Sequence, residues 1–365
     1  MAPTGCREMN TIALRRLAAQ QLSSGRLELP VDVVKWLGAI QAQDYAGAKW
    51  SVGLRLPGSS DDAVEQAIAD NVIVRTWAMR GTLHFVAAED VHWLLALLAP
   101  RIIAKNRRRY RQLELDEQTL ARSSALLYGA LEGSRQLDRQ ALRPVLEKEG
   151  ISTDGQRIFY MLQRASLDGL ICQGVAEKNK PAFLRLAPPL AGITPVPREE
   201  ALARLALRYF TSRGPATLDD FVWWAGLLVA DARAGLEAAA SKLVRETLAG
   251  KTYWLADSMP ASPRSAPDLY LLPGFDEYLV SYRDRSAALD EKYAAAWSRS
   301  KAMFSPSIIR RGQVIGLWKR TIKEYLVEIT PDLFIDLTAV NIRVLEEAAV
   351  AYGRFLGKTA IIKLQ

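Results

Sequence analysis

The chain has 365 residues, of which 49% are hydrophobic and 24% are charged, and its net charge is +8. This length predicts two or three domains, and the composition excludes an intrinsically disordered chain. The apolar runs are too short to cross a bilayer and residues 1–10 lack a signal-peptide core, so we expect a cytoplasmic protein. The excess of basic over acidic residues favours an anionic partner, either a nucleic acid or a membrane surface.

The residue types that common enzyme sites require are scarce. The only cysteines are Cys6 and Cys172, and the only histidines are His84 and His92. A disulfide framework, a metal cluster and a structural zinc site are therefore not expected. The sequence contains no Gly-x-Ser-x-Gly elbow, no Walker loop and no Gly-x-Gly-x-x-Gly segment. We expect neither a metal nor a cofactor.

The first predicted elements are three helices followed by a hairpin. Apolar residues at helical spacing predict helices over Thr11–Ser23 and Pro30–Ile40, and Asp61-Asp62 is typical of the start of a third helix. Val72–Trp77 and Thr82–Ala87 are predicted strands on either side of a short turn. This order is typical of a winged helix, which we assign to residues 10–98.

The same order of elements recurs twice. Residues 99–192 and 193–266 form the second and third predicted winged-helix units, and residues 267–365 form a C-terminal α+β element. The predicted linkers are Pro188-Pro189 and Ser258–Pro267. The predicted fold class is therefore α+β, with three tandem winged-helix units. The elements that support it are helices at Asp116–Leu131, Asp138–Gly150, Gln156–Gly169, Arg198–Thr211, Thr217–Ala225, Ala232–Leu243 and Asn341–Gly353, and strands at Leu170–Val175, Ala182–Leu186, Ile308–Trp318 and Tyr325–Thr330, with a hairpin around Glu246–Leu255.

Five short motifs occur in an order that resembles the winged-helix DNA glycosylases of the AlkZ/YcaQ type, a family also described as winged helix DNA-binding domain-containing proteins. Each motif is weak alone, but together they span about residues 10–320 in the family's order. They are Ile40-Gln41-Ala42-Gln43, the segment from Arg75 to His84, Gly214–Phe221 with Trp224, Leu272–Tyr278 with Tyr282–Arg285, and Val314–Trp318.

The resemblance implies tandem winged-helix domains around a DNA-binding channel. It also implies a monofunctional glycosylase that hydrolyses the N-glycosidic bond of alkylated purines, including N7-alkylguanine, bulky adducts and interstrand crosslinks. Members carry Gln-aliphatic-Gln or Gln-aliphatic-Asp at the reaction centre, and this chain carries the first form, so Gln41 and Gln43 are the candidate catalytic residues. The expected partner is double-stranded DNA rather than a membrane, and the chain is expected to act as a monomer.

Two glutamines suit a reaction that needs little acid–base help. An amide does not titrate near neutral pH, so it is no true general base. An N7-alkylguanine is already cationic and leaves easily, so the remaining tasks are to hold a water and to stabilise a cationic sugar. Residues two apart share a face only in extended backbone, and we therefore expect the helix to end near Ile40 and Asp44 to cap Tyr45–Leu54. The alternative is that Gln41 ends a helix and Gln43 is a solvated polar residue.

The basic residues supply the candidate DNA contacts. A phosphate-binding role and a solvated helix both fit the basic segment 101–111, which also contains Arg111. A structural role fits His84 at least as well as DNA binding, and it is the expected role of His92. Asp276 and Glu277 fit charged element termini better than acid–base catalysis. The candidate DNA-binding residues are Arg75, Arg80, His84, Arg101, Lys105, Arg107, Arg108, Arg109, Arg283, Arg285, Arg310, Arg311, Lys319 and Arg320.

Two other functions compete with the glycosylase. One is a non-catalytic winged-helix DNA-binding protein, such as a transcription regulator. Regulators usually carry one winged helix with a dimerisation or ligand module, whereas three units are predicted here. The other is a damage-binding protein that has lost activity.

Overall fold

The computed structural model describes residues 4–23, 25–133, 135–174, 181–189, 195–248, 250–257, 267–299, 304–336 and 339–364. The chain divides into two compact units, one formed by Met1–Val64 with Leu202–Gln365 and the other by Glu65–Ala201. The predicted linker Ser258–Pro267, except Pro267, and the end of the predicted strand at Val175 lie outside the described residues. Within the described ranges, no helix is long and apolar enough to span a membrane.

The elements of the described residues are numbered in chain order. The helices α1 to α14 are Thr4–Ala19, Pro30–Leu37, Tyr45–Arg55, Asp61–Ala69, Ala88–Gln112, Glu117–Ala130, Arg139–Glu147, Arg157–Leu167, Arg198–Arg213, Leu218–Ala225, Val229–Ala239, Glu277–Val280, Glu291–Arg299 and Ala339–Phe355. The strands β1 to β13 are Ile40–Gln41, Ile73–Trp77, Leu83–Ala87, Leu137–Asp138, Ile171–Gly174, Ala182–Arg185, Leu243–Leu248, Lys251–Ala256, Leu269–Leu272, Ser307–Arg310, Gln313–Ile322, Leu326–Leu333 and Thr359–Ile362.

The unit Glu65–Ala201 contains two hairpins that share one sheet. Its strands lie in the order β3-β2-β5-β6-β4, and β2 joins β5 through the antiparallel pair Arg75↔Gln173. Helix α8 buries Ile158, Met161 and Leu162, which lie at positions i, i+3 and i+4 and therefore on one face. The hairpins assigned to the first and second predicted winged helices are therefore strands of a single sheet.

The other unit is built around a five-stranded sheet in the order β13-β12-β11-β10-β9. The β12–β13 pair is parallel, and the remaining pairs are antiparallel. Helices α1 and α12 contribute Leu17 and Tyr278 to the core beside Leu272 and Ile309 from the sheet. This core places α12 next to α1, although 257 residues separate Gln20 from Glu277, whose carbonyl accepts from the Gln20 amide.

Helix α3, which follows the Gln-Ala-Gln element, is anchored by aromatic packing. The Trp50 ring lies 4.9 Å from that of Tyr352 and 5.1 Å from that of Phe355 between ring centroids. Gly53 allows the close approach of α14, because a Cβ at that position would lie 2.5 Å from the Phe355 ring. Aromatic pairs and area burial therefore fix α3 on the C-terminal part of the chain.

The observed elements confirm most of the predicted ones and correct several. The first helix is Thr4–Ala19 rather than Thr11–Ser23, and the helix predicted at Ala232–Leu243 is Val229–Ala239. The predicted strand Ile308–Trp318 is wrong as a single strand, because Arg311 and Gly312 adopt φ of 48° and 81° and turn the chain between β10 and β11. The predicted helix Pro30–Ile40 ends earlier, at Leu37. The predicted strands Val72–Trp77 and Thr82–Ala87 are confirmed as β2 and β3 within one residue at their starts. The tandem winged-helix arrangement and the four domain boundaries stay predictions.

Candidate active site

The backbone of Gln41-Ala42-Gln43 is not helical. Helix α2 stops at Leu37, Gly38 adopts φ of 74°, and Ile40–Gln41 is a short strand. Asp44 then caps α3 by accepting a hydrogen bond from the Gly47 N–H at 3.1 Å. The helix ends before Gln41, at Leu37 rather than near Ile40, and the expected cap at Asp44 is confirmed. The alternative is wrong in having Gln41 end a helix, although Gln43 is exposed as it also held.

The two glutamines differ in exposure. Gln41 is only 7% exposed, and Ala42 is fully buried, whereas Gln43 is exposed. The small Ala42 side chain fits into the interior between them. Gln41 is therefore held by its surroundings, and Gln43 is accessible from the surface, where a substrate can approach.

A buried ion pair holds the backbone around Gln41. Arg213 and Glu277 contact at 2.7 Å, and their side chains are 0% and 1% exposed. The Arg213 guanidinium donates to the carbonyl oxygens of Leu37 at 2.6 Å and Ala39 at 3.1 Å, while the Gln41 N–H donates to Glu277 Oε1 at 2.9 Å. Two opposite charges thus satisfy the backbone groups that the end of α2 leaves without helical partners.

Glu277 is fixed by further donors. Its Oε2 accepts from the indole N–H of Trp224 at 2.9 Å and from the Ser281 hydroxyl at 2.6 Å. Arg213 lies over the Trp224 ring at 4.2 Å. A buried carboxylate whose oxygens are already taken up by this many donors is part of a framework and is poorly placed for proton transfer. This arrangement agrees with the structural interpretation of Glu277.

Asp276 forms a second buried ion pair next to the first. Its carboxylate accepts two hydrogen bonds from Arg55 at 2.9 Å each and one from the Ser51 hydroxyl at 2.7 Å. The Arg55 and Asp276 side chains are both fully buried. Because Ser51 and Arg55 belong to α3, this pair fixes α12 to the helix that follows Gln43. Asp276 is therefore also part of the framework.

Buried tyrosines complete the framework. Tyr282 accepts from the Gln20 amide at 3.0 Å and donates to the Arg213 carbonyl at 2.8 Å. Tyr209 donates to the Ser281 carbonyl at 2.9 Å. Burial raises the pKa of both Tyr209 and Tyr282. These phenols are therefore neutral hydrogen-bonding groups.

The structural roles of Arg55 and Arg213, which lie on apolar helix faces, were not predicted from the sequence. Arg213 continues the buried stripe Leu205, Tyr209 along α9, and Arg55 lies on the buried side of α3. A charged residue that continues an apolar stripe at helical spacing is rarely buried without a partner. That signal could have pointed to both arginines, although it could not have named their partners.

The first predicted wing contains both buried and half-buried candidates. Arg80 lies half-buried in the turn Met79–Gly81 between β2 and β3, which confirms its place at the tip. Arg75 is 6% exposed and His84 is fully buried, with its Nδ1 2.9 Å from the Thr82 carbonyl. Neither Arg75 nor His84 presents its side chain at the surface, and the structural role that the sequence allowed for His84 fits its position.

Helix α5 carries the most exposed basic surface among the candidates. Lys105, Arg107 and Arg108 are exposed, whereas Arg101 and Arg109 are half-buried. Arg109 donates to the Gln156 side chain at 2.8 Å and to that of Gln112 at 3.0 Å. The prediction of a DNA-binding helix therefore rests on the three exposed residues Lys105, Arg107 and Arg108.

Most of the C-terminal candidates are already paired with acidic groups. Arg283 contacts Asp219 at 3.0 Å, and Arg310 and Arg311 both contact Asp268, at 2.8 and 2.5 Å.

The remaining three C-terminal candidates differ in their surroundings. Arg285 donates to the Leu279 carbonyl at 2.9 Å, and Lys319 is exposed. Arg320 contacts Asp44 at 3.2 Å. Since Asp44 follows Gln43, Arg320 places a positive charge close to the candidate active site.

The family comparison matches the chain over most of its length. Residues 34–355 match the model of the family described as DNA glycosylase AlkZ-like. A curated protein from Streptomyces sahachiroi, described as an interstrand DNA cross-link repair glycosylase, is 27% identical over 341 residues, which cover 89% of this chain and 90% of that protein. The solved structure of the Streptomyces sahachiroi DNA glycosylase AlkZ is similar in fold, with a TM-score of 0.75 and 22% identity over 98% of this chain and 99% of that chain.

Proposed function

Because the chain belongs to the AlkZ-like DNA glycosylase family, we propose that it hydrolyses the N-glycosidic bond of alkylated purines in double-stranded DNA, with Gln41 and Gln43 holding the attacking water. The observation that carries this proposal is the non-helical Gln41-Ala42-Gln43 segment inside the matched residues 34–355. A Gln-aliphatic-Gln element at this place is what the family uses at its reaction centre.

The chemistry fits the demand of a cationic leaving group. In N7-alkylguanine the positive charge already weakens the glycosidic bond, so the protein has to place a water near C1′ and stabilise the developing sugar cation. The amide oxygen of Gln43 accepts a hydrogen bond from the water, and the amide dipoles direct negative ends toward the sugar. The bond from C1′ to the purine breaks with its electron pair going to the cationic base, which leaves neutral, and the water oxygen bonds to C1′ and then releases a proton to solvent.

The hydrogen bonds that hold the backbone around Gln41 keep its buried amide in a fixed position. The Gln41 backbone N–H is fixed by Glu277, and the Ala39 carbonyl two residues earlier is fixed by Arg213. A water held by a fixed donor or acceptor loses little further entropy on the way to the transition state. The glutamines form no Schiff base, so we expect a monofunctional enzyme that leaves the abasic site uncut and acts as a monomer.

Bulky adducts and interstrand crosslinks belong to the proposed substrates. The curated relative is described as acting on interstrand crosslinks, and a crosslink through N7 of guanine has the same cationic leaving group. The net charge of +8 favours binding of the polyanionic duplex in which such lesions lie.

The test follows abasic-site formation in duplex DNA that carries either N7-methylguanine or an N7-linked crosslink. Wild-type protein should release the base from both, and the double variant Gln41→Ala/Gln43→Ala should lose about a hundredfold or more in rate. Failure of the wild type on every adduct would refute the glycosylase function and leave a DNA-binding protein. Unchanged release by the double variant would refute the site alone.

A further inference from the structure

A cavity of about 490 Å³ lies within the unit Glu65–Ala201 and has no role in the proposed reaction. Its floor is one face of the sheet. The register places Trp77 opposite Leu83 and Gln173 opposite Phe183, so side chains from four neighbouring strands point to the same side. Helix α8 supplies Phe159 to the wall.

The apolar lining is mostly aromatic and arranged around Trp77. The ring of Phe183 lies 6.2 Å from that of Trp77 with an interplanar angle of 12°, and the ring of Phe159 lies 5.8 Å away at 85°. One ring therefore runs parallel to the indole and another stands upright beside it. In such a cluster a flat aromatic ligand can stack on the face of one ring and contact the edge of another. Stacked and edge-to-face contacts are the geometries that aromatic pairs prefer.

One polar group in the lining, the side-chain oxygen of Gln173, is a buried hydrogen-bond acceptor without a donor in the described part of the chain. Gln173 is 6% exposed, and its Oε1 has no hydrogen-bond partner among the described residues. A buried acceptor without a donor is unfavourable, and nearly all such groups in folded proteins are satisfied. Asp138, Arg139 and Gln140 also line the cavity, at the start of α7. Because the Asp138 and Arg139 charges are opposite, the lining selects no strongly charged ligand.

We propose that this cavity binds a planar, neutral heteroaromatic molecule that stacks against Trp77 and donates an N–H hydrogen bond to Gln173 Oε1. The volume is that of an ordinary small-molecule site and exceeds what a single-ring compound needs. The polar acceptor sets the orientation of the ligand, and the aromatic walls supply most of the contact area. The inference stands apart from base release at Gln41 and Gln43 and does not require it.

The first experiment titrates two probes that differ in the donor alone. Quinolin-2(1H)-one is a flat bicycle with one N–H, and its N-methyl derivative has the same rings without it. Binding is followed in full-length protein by the indole ¹⁵N–¹H signal of Trp77, assigned with Trp77→Phe. We expect saturable binding of the N–H probe and an affinity about fivefold to tenfold lower for the methylated probe. A probe of this size should saturate below about 5 mM.

Variants and competition complete the test. Gln173→Met keeps the side-chain length and removes the acceptor, so it should bring the two probes to equal affinity. If the probe still binds in the presence of excess undamaged duplex, the natural ligand of the cavity is a free molecule. If the duplex displaces the probe, the natural ligand is a base of DNA. Absence of a saturable Trp77 shift, or equal affinity of the two probes for the wild type, would overturn the proposal. Base release from N7-methylguanine is measured separately, so its loss or presence does not affect this outcome.

Discussion

The backbone N–H of Gln41 donates to the carboxylate of Glu277 at 2.9 Å, and 236 residues separate the two. Glu277 lies at the start of α12 and is balanced by Arg213 at the end of α9. The element that carries the candidate catalytic amides is therefore held by two distant parts of the chain. Its geometry depends on the fold being complete.

Replacement of Glu277 by glutamine tests this support. Glu277→Gln keeps the size of the side chain but leaves the buried Arg213 guanidinium without its counter-ion, so the free energy of unfolding should fall by about 3–5 kcal/mol. Urea denaturation measures the loss. The matched control is Tyr209→Phe, which removes one neutral hydrogen bond, to the Ser281 carbonyl, from the same cluster and should cost only about 1 kcal/mol. Equal losses for the two variants would contradict a dominant ion pair.

Gly38 offers a test of the turn that precedes the glutamines. At φ of 74°, an alanine is strained, and its Cβ would lie 2.8 Å from Arg208 Cδ. Gly38→Ala should destabilise the protein by about 1–3 kcal/mol and slow base release, because the chain after α2 must shift. Gly58→Ala is the control, since Gly58 has φ of 90° and nothing within 4 Å of an added Cβ. It should show the backbone cost without the loss in rate. A similar loss of rate in both variants would argue against a local effect.

The local part of this site could be predicted from the sequence. The i, i+2 spacing of Gln41 and Gln43 required extended backbone, and aspartate at position 44 signalled a helix start. Both follow from short-range backbone geometry: Ile40–Gln41 is a short strand, although residue 43 lies in a bend, and Asp44 caps α3. The helices and hairpins with clear periodicity, such as β2 and β3, were predictable for the same reason.

The long-range part could not be predicted in this way. The pairing of Glu277 with Arg213 joins segments whose separation in sequence carries no periodic signal. The parallel strand β13 beside β12 also depends on the path of α14, because parallel neighbours need a long crossover. The turn at Arg311–Gly312 was missed because apolar residues lie on both sides of it and suggest one continuous strand, although glycine is a common turn residue.

The pH dependence of base release tests the role of the amides. Neither glutamine titrates near neutrality, so the rate of release from preformed N7-methylguanine should be flat between about pH 6 and 8. In Gln43→Glu, a carboxylate replaces the amide at an exposed position. The rate of that variant should rise with pH through the ordinary range of a glutamate, near about 4 to 5. A bell-shaped profile for the wild type would point to ionisable groups instead of Gln41 and Gln43.

Asp284 should contribute to stability in a defined acid range. Burial alone would raise the pKa of this carboxyl, but hydrogen bonds from Lys251 and Ser286 lower its pKa to about 2. Because the folded pKa lies below the unfolded value of about 3.9, the contribution is present above about pH 4 and is lost as the pH falls toward about 2.

A comparison of urea midpoints between about pH 5 and 2.5 measures this contribution. The Asp284 side chain is 38% exposed, so solvent screening keeps the contribution below about 1 kcal/mol. Asp284→Asn should remove that part of the acid dependence. Asp62→Asn, which removes an exposed carboxylate from the first turn of α4, should leave that part unchanged. A steeper acid dependence in Asp284→Asn would show that the carboxyl is not held in its ionised form.

The exposed basic residues of α5 make a prediction about salt. If Lys105, Arg107 and Arg108 each neutralise one phosphate, their joint replacement by alanine should reduce the slope of log affinity against log salt by up to about 2.7, since each contact contributes about 0.9. Binding of undamaged duplex, measured at several salt concentrations, gives the slope. Arg122→Ala is the control in the same unit, because Arg122 is exposed but paired with Glu149. The ratio of affinities for alkylated and undamaged duplex should stay constant in the triple variant, because phosphate contacts do not distinguish bases. A changed ratio with an unchanged slope would assign these three side chains to lesion recognition instead.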